Sequence, residues 1–335
     1  MVRIGILGVA HLHVDSYVDN LRAAGAVVAG ICDPDPLRAR SWGARHDVVV
    51  HDDVDGLLAE GLDGVVVCSE TVYHRDLVER AASAGCAVLC EKPLGVMHED
   101  TSRIVAACDE AGVTLMTAFP VRFHPAVQQL HTLVSTGGLG RIRAFSGTNQ
   151  SVMPLRERAW FADQALAGGG AMMDHIVHLA DLFCWLTDAV PEQVYAVGNR
   201  IVHSDAVNVE TSGLVLLSYP DGVFASIDCS WNRPLDYPSW GGIALSVVGD
   251  GGIVDVDPLR QRLTQFGGGR PYGWRPWGLD TNQLMVNEFV AATRERREPA
   301  VTGRDGAIAT TIALAAMESA AAGEPVTWPG SVRAS

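Results

Sequence analysis

The sequence predicts an α/β fold joined to an α+β one: a doubly wound parallel sheet first, then a largely antiparallel, open-faced sheet with flanking helices. Three observations carry this. Up to about Pro120 short apolar runs alternate with longer helical ones; beyond it one buried helix is followed by strand-like runs, some of them separated by tight glycine-containing turns. The 335 residues, 48% of them hydrophobic, suffice for two cores. The expected division is residues 1–120, residues 121–330 and a frayed tail at 331–335.

Strands covered on both faces read as continuous apolar runs, and such runs occur at residues 2–7, 27–32, 64–68, 87–90 and 114–118. Helical patterns fill the gaps at about 12–24, 36–46, 75–84 and 99–111. In the second half a nearly all-apolar helix at about 170–186 precedes strand-like segments at 194–197, 211–218, 222–230 and 243–248. Asp221-Gly222 and Gly249-Asp250-Gly251-Gly252 have the residue types of tight hairpin turns. Two helices, about 281–296 and 303–322, close the chain. A sheet with an open face usually needs a cover, so a homodimer or homotetramer is expected.

A formal charge of -14, with no cluster of Lys and Arg, argues against nucleic acid or an anionic membrane as main partner and leaves a small molecule or another protein. Seven cysteines without a close CxxC pair suggest a reducing compartment. Met1 runs directly into the first strand with no basic and apolar leader, and no run of about eighteen apolar residues exists, so a cytoplasmic location is expected.

Between the first strand and helix stands Gly8-Val9-Ala10-His11-Leu12-His13, where a dinucleotide fingerprint would read G-x-G-x-x-G. Only the first glycine is present. The context is stronger: the turn opens a helix whose N-terminus can receive phosphate, and Asp33 ends the second strand. A carboxylate there binds ribose hydroxyls and repels a 2′-phosphate, so NAD is expected over NADP. Alternatively, Asp33 and Asp35 in Asp33-Pro34-Asp35-Pro36 cap a turn.

Two further features bear chemistry. Glu91-Lys92-Pro93 follows the fourth apolar run, and Asp174 and His178 lie four apart, hence on one face, of the apolar helix. Ionisable groups in such a helix either satisfy one another or face a ligand cavity. Lys92 on its local sequence alone reads more readily as an exposed loop lysine. His175 and His178 with Asp174 and Asp181 are also conceivable metal ligands, although no additional ligand cluster stands near them.

The order of Gly8, Asp33, Cys68-Ser69-Glu70-Thr71-Val72-Tyr73-His74, Ala84 to Pro93, Gly168-Gly169-Gly170, Asp174, His178 and Asp181 resembles the glucose-fructose oxidoreductase, inositol dehydrogenase and MocA family along essentially the whole chain. The resemblance implies a Rossmann-like first domain, NAD without a catalytic metal, and hydride transfer at a secondary alcohol of a sugar, inositol or polyol. It implies catalytic roles for Lys92, Asp174 and His178, with His178 the best base on intrinsic grounds because imidazole titrates near neutrality. Lys92 would polarise the oxygen and share a relay with His178, while Asp174 would orient a hydroxyl or the imidazolium.

Cofactor contacts are expected from Gly8, Ala10, His11, Leu12, Asp33, Ser69, His74, Glu91 and Lys92, and substrate contacts from Arg122, Trp160, Asp174 and His175. Arg122 reads equally as a hinge arginine paired with a carboxylate, His74 as a cap or packing residue, and Trp160 as core. The segment from Cys229 to Pro234, with Tyr237 and Trp240, is rich in sugar-stacking types. Three departures stand out: Ala10 and His13 replace glycines, Glu70 replaces a proline, and Trp160-Phe161 replaces Trp-Arg, leaving Arg156 or Arg158 to supply a cation. The rival functions are an NAD-using glycosidase, a dihydrodiol dehydrogenase and a non-catalytic dinucleotide sensor.

Overall fold

The computed structural model describes residues 1–156, 158–260, 262–267, 270–276 and 278–328; the expected tail at 331–335 lies outside these. The first sheet is formed by β1 (Arg3–Leu7), β2 (Val27–Cys32), β3 (Gly64–Val67), β4 (Ala87–Cys90) and β5 (Leu115–Thr117). Its helices are α1 (Val14–Ala23), α2 (Pro36–His46), α3 (Val54–Leu58), α4 (His74–Ser83) and α5 (His98–Ala111). Every residue of β3 and β4 is buried, as a strand covered on both faces requires. The order is β2-β1-β3-β4-β5, all parallel. Strand order therefore reverses beside β1, and the carboxyl ends of β1, β3 and β4 open on the crevice where ligands bind in such sheets.

Two elements that the apolar pattern did not signal follow: α6 (Pro125–Ser135) and β6 (Ile142–Val152). After α7 (Gln164–Ala167) and α8 (Ala171–Thr187) come β7 (Gln193–Asn199), β8 (Ser212–Ser218), β9 (Phe224–Arg233), β10 (Gly241–Gly249) and β11 (Gly252–Val256). A separate hairpin of β12 (Arg262–Gly267) and β13 (Arg270–Pro276) precedes α9 (Thr281–Glu295), α10 (Gly303–Ala322) and β14 (Val326–Thr327). The second sheet runs β11-β10-β6-β9-β8-β7-β14, antiparallel except for β6 beside β9. Its buried face carries α8 and α10, while Val197, Leu214, Leu216 and Phe224 are exposed on the other. α9 returns to pack on α1, so the end of the chain covers the first sheet. Among the described residues no helix is long and apolar enough to cross a membrane.

The hairpin between β8 and β9 turns at Asp221 and Gly222, both with positive φ, as the Asp-Gly pair implies. β6 went unread because its outward residues are small or polar, Ser146 and Thr148 among them, and its inward ones include Gly147, Asn149 and Ser151. Such a strand has almost no apolar period, yet it lies inside the sheet, between β10 and β9.

α8 starts where it does because Glu210 Oε1 accepts the backbone N–H groups of Gly170 at 2.8 Å and Met172 at 3.0 Å, satisfying donors that a helix start leaves open. A Cβ on Gly170 would collide with the Glu210 carbonyl oxygen, so this close approach requires glycine.

Arg122, expected to touch substrate, instead ties the crossing between the sheets together. Its guanidinium meets both Asp181 oxygens at 2.6 and 2.8 Å, reaches Asp305 at 3.0 Å and lies over the Trp185 ring. The geometry is the fork pairing that guanidinium and carboxylate favour, and it leaves no free edge for a ligand. Arg122→Met should cost about 3–5 kcal/mol, because a buried carboxylate loses its cation. Denaturant unfolding checks this; a loss below about 1 kcal/mol would show the pair to be dispensable.

Candidate active site

The chain enters the crevice at Gly8. Its φ is +82°, and a Cβ there would lie 2.6 Å from Ser69 Cα, so glycine alone lets the loop cross β3. His11 N–H donates to the Cys68 carbonyl at 2.9 Å, holding the loop down. Asp33 pins it from the other side: Oδ2 accepts Val9 N–H at 2.7 Å, and Oδ1 accepts Asp35 N–H at 2.8 Å and Arg38 Nε at 2.9 Å. The cap of α2 is Asp35, which accepts from Leu37 and Arg38. Glu70 receives Arg38 Nη1 at 2.9 Å, which accounts for an acid in place of proline. A cavity of about 370 Å³ lies beside Asp33, lined also by Gly8, Asp52, Asp53, Ser69 and Asp76.

Three expected cofactor contacts have other partners. Glu91 is buried under the loop, where Oε1 accepts Tyr17 Oη at 2.7 Å and His13 Nδ1 at 3.0 Å, and Oε2 accepts Lys92 N–H at 3.1 Å. Burial pushes its carboxyl up, but His11, His13 and Lys92 outweigh that and hold it well below the usual range. The His11 ring is wholly buried against Glu91 and Phe161. His74 is fully buried between the carbonyls of Pro93 at 3.0 Å and Ser69 at 3.3 Å, so it braces the loops after β3 and β4. Both His74 ring nitrogens are thus spent on protein carbonyls. Ser69 Oγ likewise donates to the Glu70 carbonyl, at 3.0 Å, although Ser69 lines the Asp33 cavity. Leu12 is exposed at the loop tip.

On the other side of the loop is a cavity of about 200 Å³ lined by His13, Lys92, Asn149, Arg158, Asp174, His175, His178 and Trp240. At its floor Lys92 Nζ lies 2.6 Å from Asp174 Oδ1 and 3.2 Å from the Asp174 carbonyl oxygen, joining the end of β4 to α8. Lys92 is thus 4% exposed and paired, not a free loop lysine. Asp174 Oδ2 accepts Trp231 Nε1–H at 3.0 Å; Trp231 is fully buried, so it orients the acid and does not stack on a sugar. Burial raises Asp174, but Lys92, His175 and Arg158 outweigh it and keep the carboxyl well below its usual range.

His178 does line this cavity, but the sequence argument for it as an untuned base fails: burial, reinforced by Lys92, drives the imidazole well below its ordinary value. Its Nδ1 has no hydrogen-bond partner among the described residues, and the ring meets the Phe119 edge. Asp174 is 2.6 Å from Lys92 and makes no described bond to His178, so it does not orient that ring. His175 Nε2 bonds Ser151 Oγ at 3.0 Å. With Asp181 engaged by Arg122, the four residues weighed as metal ligands do not converge. Trp160 donates to the Ala10 carbonyl at 3.2 Å, a brace from the second half onto the fingerprint loop. Asn149 was missed, since β6 was; its Nδ2 donates to the His175 carbonyl at 3.1 Å. Arg158 is buried between Phe161 and Trp240.

Burial drives His175 down to about 4, against the pull of Asp174 and helped by Lys92. The unfolded ring, near 6.5, then binds more protons than the folded one between those values, so stability is full above about pH 6.5 and falls on acidification toward 4. The gap is worth on the order of 3 kcal/mol. Thermal melts from neutral pH down to about 4.5 should therefore slope less steeply for His175→Gln than for the wild type. An unchanged slope would mean the ring is already protonated or solvated in the fold.

Residues 2–119 match the model of the oxidoreductase family with an NAD-binding Rossmann fold, and residues 127–255 match the GFO/IDH/MocA C-terminal domain. The chain is 27% identical to a myo-inositol 2-dehydrogenase of Thermotoga maritima over 95% of its own length and 96% of that protein. It is 31% identical to D-xylose 1-dehydrogenase (NADP(+)) 2 of Haloferax volcanii, covering 69% of this chain and 70% of that one. The crystal structure of GenD2 from gentamicin A biosynthesis, in complex with NAD, superposes with a TM-score of 0.87 at 24% identity, covering 97% and 96% of the two chains. This chain belongs to the GFO/IDH/MocA family of NAD-binding oxidoreductases.

Proposed function

We propose that the protein is an NAD-dependent dehydrogenase that moves a hydride between nicotinamide and a secondary alcohol or ketone of a sugar, inositol or related polyol. Residues 1–120 hold the dinucleotide and residues 121–330 supply the substrate side. The observation that carries this reading is the ion pair of Lys92 and Asp174 at the floor of a cavity that also exposes imidazole and amide groups.

The residues fit the cofactor. Two cavities flank the Gly8–His13 loop, one beside Asp33 and one beside Lys92, so an extended dinucleotide can cross the loop between them. Gly8, Ala10 and Leu12 would face the pyrophosphate together with the start of α1. The Asp33 cavity is lined by four carboxylates, from Asp33, Asp52, Asp53 and Asp76. Arg80 beside them already pairs with Asp55 and Asp76, and Arg38 with Asp33 and Glu70. A 2′-phosphate would meet mostly negative charge there, which favours NAD.

Bound nicotinamide supplies the hydride acceptor. Lys92, held in place by Asp174, donates a hydrogen bond to the substrate hydroxyl oxygen and stabilises negative charge as it develops. His178, neutral at pH 7, accepts the hydroxyl proton, as a weaker base than a solvated imidazole. Asn149, His175 and Arg158 are positioned to bind the remaining hydroxyls, and a cavity of about 200 Å³ suits one small ring.

The test is a panel of inositols, aldoses and sugar acids followed by NADH absorbance, on wild type and His178→Ala. The variant should lose on the order of 100-fold or more in kcat while binding NAD as before. Silence of the wild type across the panel, with NAD bound, would favour a sensor. Cofactor choice is checked by Asp33→Ser, which should shrink the NAD over NADP preference by about tenfold; an unchanged ratio would remove Asp33 from the ribose.

A further inference from the structure

The altered fingerprint loop holds a cluster that this chemistry does not use. His11 and His13 turn Nδ1 toward the same carboxylate oxygen, at 3.4 and 3.0 Å from Glu91 Oε1. One donor atom from each of the three residues lies within 4.8 Å of the others. That oxygen also accepts the Tyr17 hydroxyl at 2.7 Å beside the His13 ring, so both its lone pairs are taken and His11 Nδ1 stands by without a described hydrogen bond to it. The other His11 nitrogen, Nε2, is buried with no partner among the described residues. As hydrogen bonding the arrangement leaves the buried His11 ring with only a 3.4 Å contact from the His13 N–H among the described residues. As a ligand set it is well formed.

We propose that His11, His13 and Glu91 bind one divalent transition-metal ion of the zinc class, with the open coordination position toward the cavity that His13 and Lys92 line. Bonds of about 2.0–2.1 Å to a tetrahedral ion separate neighbouring ligands by about 3.3 Å, close to the 3.0 and 3.4 Å between these donors. Two imidazoles and one carboxylate select zinc, cobalt or nickel over magnesium or calcium, which prefer all-oxygen shells. Three protein donors with one open position is the pattern of zinc sites that keep an exchangeable ligand.

The surroundings support an ion there. Tyr17 Oη and the Lys92 N–H grip Glu91 from outside the cluster, which is the role of an outer shell that orients a ligand. The Lys92 ammonium does not compete for Glu91, because it lies 2.6 Å from Asp174. The His13 backbone N–H reaches His11 Nδ1 only at 3.4 Å, a weak contact that an ion would displace. Two histidines thus stand in a loop where glycines would serve a dinucleotide alone.

The inference is independent of turnover. The untagged 335-residue chain, stripped with a chelator and dialysed, is titrated with Zn²⁺ by calorimetry and with Co²⁺ by visible absorption. One ion per chain is expected, with the intense visible bands of four-coordinate cobalt. His13→Ala, whose ring is one-third exposed, and Glu91→Gln should each weaken zinc by at least about tenfold. His98→Ala, at an exposed pair with Glu318, should leave it unchanged. Thermal melts establish that each variant is folded; if Glu91→Gln is not, His13→Ala decides. Less than about half an equivalent bound by the wild type, or a His13→Ala affinity reduced by less than about tenfold, overturns the site and leaves the dehydrogenase reading untouched.

Discussion

The cavity depends on the ion pair between Lys92 and Asp174. Both side chains are about 95% buried, and either alone would carry an uncompensated charge into a medium where that costs several kcal/mol. The pair therefore fixes how the end of β4 faces the first turn of α8. It is not isolated: Trp231 from β9 holds the second Asp174 oxygen. A substrate hydroxyl entering here meets a charge whose partner is already in place, the preorganisation that electrostatic stabilisation needs.

Around that pair, buried carboxylates do the positioning. Asp33 holds the fingerprint loop, Glu91 the two imidazoles and Tyr17, Glu210 the start of α8, and Asp181 the crossing arginine. Each accepts from backbone N–H groups or from a cation, which fixes its geometry. Asp181 is the least comfortable of them: burial pushes its carboxyl up to about 7 against the pull of Arg122, with Asp305 adding to the rise. Two acids share one guanidinium there.

The fingerprint loop shows how a motif can change while its surroundings persist. Where two glycines would leave a bare backbone, this chain places Ala10 and His13, with His11 between them, and the second half of the molecule covers the loop through Trp160 on the Ala10 carbonyl and Phe161 on the His11 ring. The loop is thus braced by side chains from both halves of the chain. Gly8 is the one fingerprint position that could not change, since its Cβ would overlap Ser69.

Local sequence determined a good deal. Continuous apolar runs placed β1 to β5, because a strand buried on both faces has no polar option, and Asp221-Gly222 placed a hairpin through its backbone preferences. The spacing of Asp174 and His178 put both on the cavity side of α8, since four residues are one helical turn. What the chain alone could not decide was the pairing of charges. Whether Asp174 served His178 or Lys92, Glu91 a ligand or His13, and Arg122 a substrate or Asp181 depended on which distant group folding brought within about 3 Å. The same holds for β6 and its Asn149, whose small polar residues have no apolar period and form an inner strand only because β9 and β10 flank them. Periodicity is a property of neighbours in sequence; the basicity of a buried imidazole is a property of neighbours in space.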